Sequence, residues 1–430
     1  MLNQGQRLNQ IISTTLFSLC LLGGLIIFAC VGLSYFLPRI FGIPETLVPV
    51  ARIAFVIVGV NVALGLFGGV FGNVLYGYER IDVWKASSIV QQVVNFVLTL
   101  WFLQLGFGLI GVAAASTSSM LALICSYLLS LRLGGYGIII HRRFIEWKTL
   151  KEIFPYSIRT FILGLTSRLL YYTDNLVIGI FLGVGLVTPY EIVYKLCFFT
   201  TYLFSAISTT AFPTFSILYT RGDYDGLRGL YLKIAKLSLV IMASVGLGLV
   251  FLGRSFIGLW VGEENYAGTE VLLVLVTMNV FHAIGTPAAA LLQGIGRNKE
   301  LMISEIINAG LNVMLSITLV TRIGLPGVAL GTLLAHVLTS VWVILLLPCR
   351  YVKCSLRRYV SSCVLPPLIA AVPGAAVVWI VMQGLSPAQN FLELVLRGAI
   401  IVSIYLAIYL VVGATGEERQ MYVRFVRGRV

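Results

Sequence analysis

Residues 74–80 read VLYGYER, and residues 291–297 read LLQGIGR. Gly77 aligns with Gly294 and Arg80 with Arg297 at an offset of 217, and Asn95 aligns with Asn312 at the same offset. Residues 108–113, GLIGVA, then align with residues 324–329, GLPGVA, at an offset of 216. One residue of slippage over a pair of helices is small. Self-similarity at a fixed period marks a duplicated structural unit. The two copies face the same way across a bilayer, so this is a parallel repeat rather than an inverted one.

The runs around these motifs are apolar. The 430-residue chain is 59% hydrophobic and 11% charged, with a mean hydropathy of +0.97. A soluble domain carries roughly 45–50% apolar and about 25% charged residues. The contrast excludes an ordinary cytosolic enzyme, a disordered protein and a secreted disulfide scaffold. Twelve segments are long enough to cross a bilayer as helices. They run near 12–36, 49–76, 86–105, 109–131, 156–181, 189–213, 234–253, 270–293, 301–321, 325–347, 360–383 and 393–414. They are continuous rather than alternating, which argues against β-barrel strands. The expectation is an all-α polytopic membrane protein of about twelve transmembrane helices in two pseudo-symmetric lobes.

The net charge of +13 is a topology signal. Loops on the side of both termini carry 22 basic residues; the opposite loops carry three, Arg39, Arg254 and Arg322. The positive-inside bias places both termini in the cytoplasm of a bacterial-type cytoplasmic membrane. The first apolar run is too long for a signal-peptide core, and no A-x-A site follows it. No nucleic-acid motif is present. The seven cysteines lie in or beside apolar runs without ligand spacing and read as buried thiols. His282 and His336 read as hydrogen-bonded core histidines rather than proton relays. No metal or cofactor is expected.

The offset sets the expected domains. The second copy begins near Pro155, after a basic loop, and contains six spans. The first copy would then start some sixty residues before Met1, and four of its six spans are present. The expected order is an incomplete four-helix N-terminal lobe over 1–131 and a cytoplasmic basic inter-lobe loop over 132–155. A six-helix C-terminal lobe over 156–347 follows, then two extra helices and a cytoplasmic tail over 348–430. The implied ancestor has fourteen spans, the first two of which are missing here.

The repeat also carries a polar stripe. Ser88, Gln91, Asn95 and Thr99 match Glu305, Asn308, Asn312 and Ser316. Their spacing puts each set on one helical face, which turns toward another helix or a cavity rather than lipid. Near the start of the second copy, Arg168 lies at mid-span, where a charge needs water, a partner or a ligand. Asp174 and Lys195 lie at similar depth in consecutive spans and could pair. Glu191 and Lys195, four residues apart, offer the alternative pairing. These residues form either an ion-pair framework between two helices or a cationic wall for an anionic headgroup.

Motifs of soluble enzymes fail. There is no G-x-x-x-x-G-K-[ST]. Asp223-Tyr224-Asp225 is a D-x-D, but it lies in a short loop assigned to the cytoplasm. No outer loop exceeds about 17 residues, which leaves no room for an external catalytic domain, and no catalytic constellation is present.

Several stretches are similar to the polysaccharide-export flippases of the MOP superfamily. They are VLYGYERIDVWKASSIVQQVVNF (74–96), LGFGLIGVAAA (105–115), YYTDNLVIGIFLG (171–183), YEIVYKL (190–196), FPTFSILYTRGDYDGLRGLY (212–231), GLWVGEENYAG (258–268), LLQGIGRNKE (291–300) and GLPGVALGT (324–332). The arginine and aspartate of that family's seventh helix correspond to Arg168 and Asp174. The resemblance implies a two-lobed transporter of MOP/MATE type that moves a polyprenyl-pyrophosphate-linked oligosaccharide between leaflets by alternating access. It implies the lipid bilayer, a polysaccharide polymerase and chain-length machinery as partners. The rival readings are a multidrug or metabolite antiporter of the same superfamily, a sugar-transferring membrane enzyme and an inactive truncated remnant.

Overall fold

A computed structural model describes residues 4–78, 80–386, 388–416 and 418–420, with the side chains of residues 81, 155–157, 159–171 and 298 outside that description. Among the described residues there are helices and no strands. In hydrocarbon a backbone must satisfy its own hydrogen bonds, and a helix does so within one segment.

The longer helices are α1 (Gln4–Ser34), α3 (Val48–Gly77), α4 (Ile81–Gln104), α5 (Gly108–Leu133), α6 (Trp147–Phe181), α7 (Val187–Thr220), α8 (Tyr224–Val261), α9 (Thr269–Gly294) and α10 (Asn298–Ile323). They continue with α11 (Leu325–Leu338), α12 (Ser340–Tyr351), α14 (Leu365–Gln383) and α15 (Phe391–Val412). Two short helices, α2 (Leu37–Phe41) and α13 (Leu356–Tyr359), lie in connections. Eleven described helical segments, with α11 and α12 taken together, are long and apolar enough to cross a membrane. The remaining expected span, 156–181, lies on α6, which is helical throughout.

Three boundaries differ from the sequence reading. First, α6 opens at Trp147, inside the stretch expected to be loop. Second, α8 has 38 residues, a length of about 57 Å that exceeds the ~30 Å hydrocarbon layer. Its first turns therefore carry Arg228 and Lys233 outside the apolar segment, and Lys236, expected in the loop, is buried on the helix. Third, the expected span 325–347 breaks at Thr339 (φ −116°, ψ −74°). There the Thr339 hydroxyl donates to the Ala335 carbonyl at 2.6 Å, a side-chain bond that bends helices. A wide π turn at Val360–Val364 leads into α14, where Pro366 and Pro367 supply no N–H to the preceding turn.

The chain forms two compact units, residues 1–162 and 163–430. In the first, α3 packs on α1 and α5, and α4 packs on α5. Ile12, Leu16, Phe71, Leu75, Ile124 and Tyr127 form its core. The start of α1 is tied to the loop before α6 and to the start of α6: Asn9 Oδ1 accepts from Ile139 N at 3.0 Å, Gln10 Nε2 donates to Glu146 Oε1 at 2.8 Å, and Arg7 pairs with Glu152 of α6. In the second unit α7, α8 and α9 pack together, α10 pairs with α11, and α14–α15 lie on α8.

The repeated glycine motif does the same work in both units. Gly108 and Gly324 turn the chain at φ +52° and +66°, conformations that glycine adopts without steric cost. A side chain at Gly111 would meet the Phe102 Cβ at 2.9 Å, and one at Gly327 would meet the Leu319 carbonyl oxygen at 2.4 Å. Each motif closes a tight pair of consecutive helices, α4–α5 and α10–α11, by letting backbones approach.

Candidate functional site

Polar residues gather in the second unit from five helices. Asp174 and Asn175 come from α6; Tyr190, Glu191, Tyr194 and Lys195 from α7; His282 from α9; Glu305, Asn308 and Asn312 from α10; Thr332 and His336 from α11. The spanning parts of these helices are mostly apolar, so each inward polar group must find a partner or a hydrated space.

Asp174 is 3% exposed. Tyr190 donates to its Oδ2 at 2.7 Å, and the Thr332 hydroxyl lies 2.9 and 3.0 Å from Oδ1 and Oδ2. Asn312 Nδ2 donates to the same Thr332 oxygen at 2.6 Å. The carboxyl is thus held by neutral donors from α7 and α11 with α10 behind them. Hydrogen bonds to an acidic group offset its desolvation.

Lys195 does not complete that node. Its Nζ lies 3.1 Å from Glu191 Oε1, the i,i+4 alternative of the two pairings, and the Lys195 side chain is 69% exposed. Asn175 Nδ2 donates to the other Glu191 oxygen at 2.7 Å. Asp174–Thr332–Asn312 and Asn175–Glu191–Lys195 are therefore two adjoining clusters that share α6 and α7. Arg168 lies on α6, and its side chain is outside the described residues.

The polar stripe behaves differently in the two units. On α10, Asn308 lies beside Glu305 (3.5 Å) and Asn312 joins the aspartate node. On α4 in the first unit, Gln91 and Asn95 are half-buried, and the Asn95 side-chain oxygen has no hydrogen-bond partner among the described residues.

Sequence reasoning missed a cavity of about 370 Å³ within the second unit, whose lining includes Tyr194, His282, Gln293, Glu305, Asn308 and His336. His282 and His336, read from sequence as core histidines, have ring centroids 5.2 Å apart. The first unit has an apolar groove of about 910 Å³ between α1 and α3, floored by Gly65, Gly69 and Gly77. Tyr190 and Thr332 lie within the quoted stretches 190–196 and 324–332, but nothing in the sequence marked them as partners of Asp174, a role that shows only when the helices pack.

Known proteins place this bundle. A family profile described as "Polysaccharide biosynthesis protein" matches residues 1–267. The chain is similar to the uncharacterized membrane protein EpsK of Bacillus subtilis (strain 168), at 20% identity over 437 residues, 98% of this chain and 84% of that one. It is similar to the probable low-salt glycan biosynthesis flippase Agl15 of Haloferax volcanii, at 19% identity over 247 residues, 57% of this chain and 52% of that one. Among solved structures, the lipid II flippase MurJ in an inward closed conformation superposes with a TM-score of 0.71 at 17% identity, covering 95% of this chain and 85% of that one. The MurJ likeness shows a shared fold, and the profile covers more than half of the sequence: the chain belongs to the polysaccharide biosynthesis protein family and is a multi-pass membrane protein.

Proposed function

We propose that the protein flips a polyprenyl-pyrophosphate-linked oligosaccharide from the cytoplasmic to the outer leaflet of the cytoplasmic membrane, for assembly of a surface polysaccharide. The observation that carries this reading is Lys195. Its side chain is 69% exposed on a membrane-spanning helix, about 12 Å of helical rise from Val187, with the ammonium 3.1 Å from Glu191 Oε1. A lysine facing hydrocarbon costs roughly 2.5–3.5 kcal/mol even on the lowest scales. An exposed lysine side chain at that depth faces water or an anionic ligand instead. Arg168, on the preceding span, adds a second cation to the same region of sequence.

A pyrophosphate and its sugars do not cross about 30 Å of hydrocarbon unaided. On this reading Lys195 and Arg168 replace the hydration of the pyrophosphate, with Glu191 and Asn175 orienting Lys195. The polyprenyl tail stays in lipid while alternating access presents the bound headgroup to each leaflet in turn. Both termini lie in the cytoplasm, residues 156–347 act as the six-helix lobe, and a polymerase with its chain-length machinery consumes the flipped product. The flippase name of Agl15 supports this substrate class.

Deleting the gene in its host should make polyprenyl-linked oligosaccharide accumulate on the cytoplasmic leaflet. Wild type should reverse the accumulation, and Lys195→Ala and Arg168→Ala should not. Intact surface glycan with no accumulated lipid-linked precursor would reject the proposal.

A further inference from the structure

The cavity in the second unit is more than a packing defect. Among its described lining residues there is no lysine or arginine, but there are two imidazoles, a carboxyl, two amides, two threonines and a tyrosine. Two of the lining residues, Asn308 and His336, are 5% and 7% exposed, and their Oδ1 and Nε2 atoms are buried with no hydrogen-bond partner among the described residues. Buried acceptors and donors of this kind are normally satisfied. Glu305 is fixed by Ser340 Oγ, which donates to Oε1 at 3.0 Å, and the His336 and His282 rings lie 5.2 Å apart, tilted by 37°.

A cavity of about 370 Å³ holds many waters or one sugar ring. Hydroxyl groups both donate and accept, so a polyol satisfies a mixed set of carboxyl, amide and imidazole atoms that a simple anion or cation does not. Tyr194 supplies a flat apolar face, continued along α7 by Phe198 at 5.7 Å. Ligand sites of this type combine an apolar wall with a few oriented polar groups. The lack of a basic side chain in the lining disfavours the pyrophosphate. Gln293 and Leu301, also in the lining, flank the loop that the charge bias assigns to the cytoplasm, where the sugars would be before transport.

We infer that this cavity is a saccharide subsite. One sugar of the lipid-linked oligosaccharide inserts between Glu305, Asn308 and the His282–His336 pair with its ring against Tyr194, while the pyrophosphate engages Lys195, the next residue of α7. The inference rests on the flippase reading for its physiological ligand, but sugar binding itself does not require transport.

The chain has three histidines, and His141 is exposed outside the cavity, so imidazole nuclear magnetic resonance reads the site directly. The full chain in detergent, labelled at histidine, is titrated with free glucose, galactose, N-acetylglucosamine and N-acetylgalactosamine, and separately with inorganic pyrophosphate. At least one sugar should shift the His282 and His336 signals and leave His141 unmoved. Glu305→Gln, close in shape, should weaken that binding at least tenfold, as should Asn308→Ala; unchanged size-exclusion and circular dichroism profiles show that each variant folds. Sugars that leave both signals still overturn the inference, as does an equal response in Glu305→Gln. A shift produced by sodium alone, with none from any sugar, would reassign the cavity to ion binding and likewise overturn it. Sugar binding in a protein whose Lys195→Ala variant flips normally would refute the assignment of Lys195 and leave the subsite standing. Normal flipping without sugar binding would do the reverse.

Discussion

Tyr190 donates to Asp174 Oδ2 at 2.7 Å, and both side chains are almost wholly buried. The bond joins α6 to α7 and is completed from α11 by Thr332. Tyr190→Phe should therefore cost about 1–3 kcal/mol, the penalty for leaving a buried acceptor short of its donor. Thr332→Val should cost a similar amount. Because both act on one carboxyl, the double variant should depart from additivity by at least about 0.5 kcal/mol. Thermal unfolding in detergent measures all three; strictly additive losses would show that the node does not act as a unit.

Lys195 predicts the opposite balance. It is exposed, and its partner Glu191 is its neighbour on one helix, so the pair adds little to stability, at most about 1 kcal/mol. Lys195→Ala should leave the melting temperature nearly unchanged yet lower transport at least tenfold. Lys195→Arg keeps the charge and should recover part of the loss. A large stability loss with normal transport would make Lys195 a structural residue.

Gly331 is a packing residue. A Cβ there would lie 2.6 Å from the Ser316 backbone nitrogen, and backbone cannot move aside as a flexible side chain can. Gly331→Ala should destabilise the α10–α11 pair by about 1–3 kcal/mol. Gly69→Ala, where nothing lies within 4 Å of the added carbon, should stay within about 1 kcal/mol of wild type. Detergent melting curves of the two variants decide this, and equal effects would contradict it.

Lys236 anchors the segment that follows α15. Its Nζ lies 2.7 Å from Glu418 Oε2 and 3.3 Å from the Gly413 carbonyl oxygen. Burial alone would raise the Glu418 carboxyl, but the Lys236 ammonium and the Thr415 backbone N–H outweigh it and hold the group below the usual carboxylate range. A carboxyl depressed on docking stabilises the docked form above its undocked pKa and loses that contribution as pH falls through the docked value. Hydrogen-exchange protection over residues 413–420, taken relative to the intrinsic exchange rate at each pH, should therefore fall on acidification below about pH 4, near and under the reference value for glutamate. Glu418→Gln should exchange faster at neutral pH and show no such pH step. Acid-insensitive protection in wild type would refute the anchor.

The helices were legible because a bilayer demands long apolar runs, and those runs stand out in any sequence. The Glu191–Lys195 pair was legible because four residues on a helix are neighbours by geometry alone. Asn312 was legible as a polar residue repeated in both halves, yet its bond to Thr332 was not, since nothing in a helix of small residues distinguishes that hydroxyl. The contact of Thr332 with Asp174 spans 158 positions, and such separations are fixed only by packing. The same holds for His282 and His336, which come together because α9 and α11 pack side by side. The break at Thr339 escaped the apolar pattern because hydropathy does not register where a hydroxyl bends a helix.

Leaflet exchange in a reconstituted membrane tests the central claim most directly. The purified full chain is placed in liposomes containing polyprenyl-pyrophosphate-linked oligosaccharide, and the fraction of glycan accessible to an impermeant lectin is followed over time. The account predicts that wild type exposes the inner-leaflet glycan at least tenfold faster than empty liposomes, and that Lys195→Ala abolishes most of the gain. Exchange no faster than in empty liposomes, with the protein folded and inserted, would contradict it.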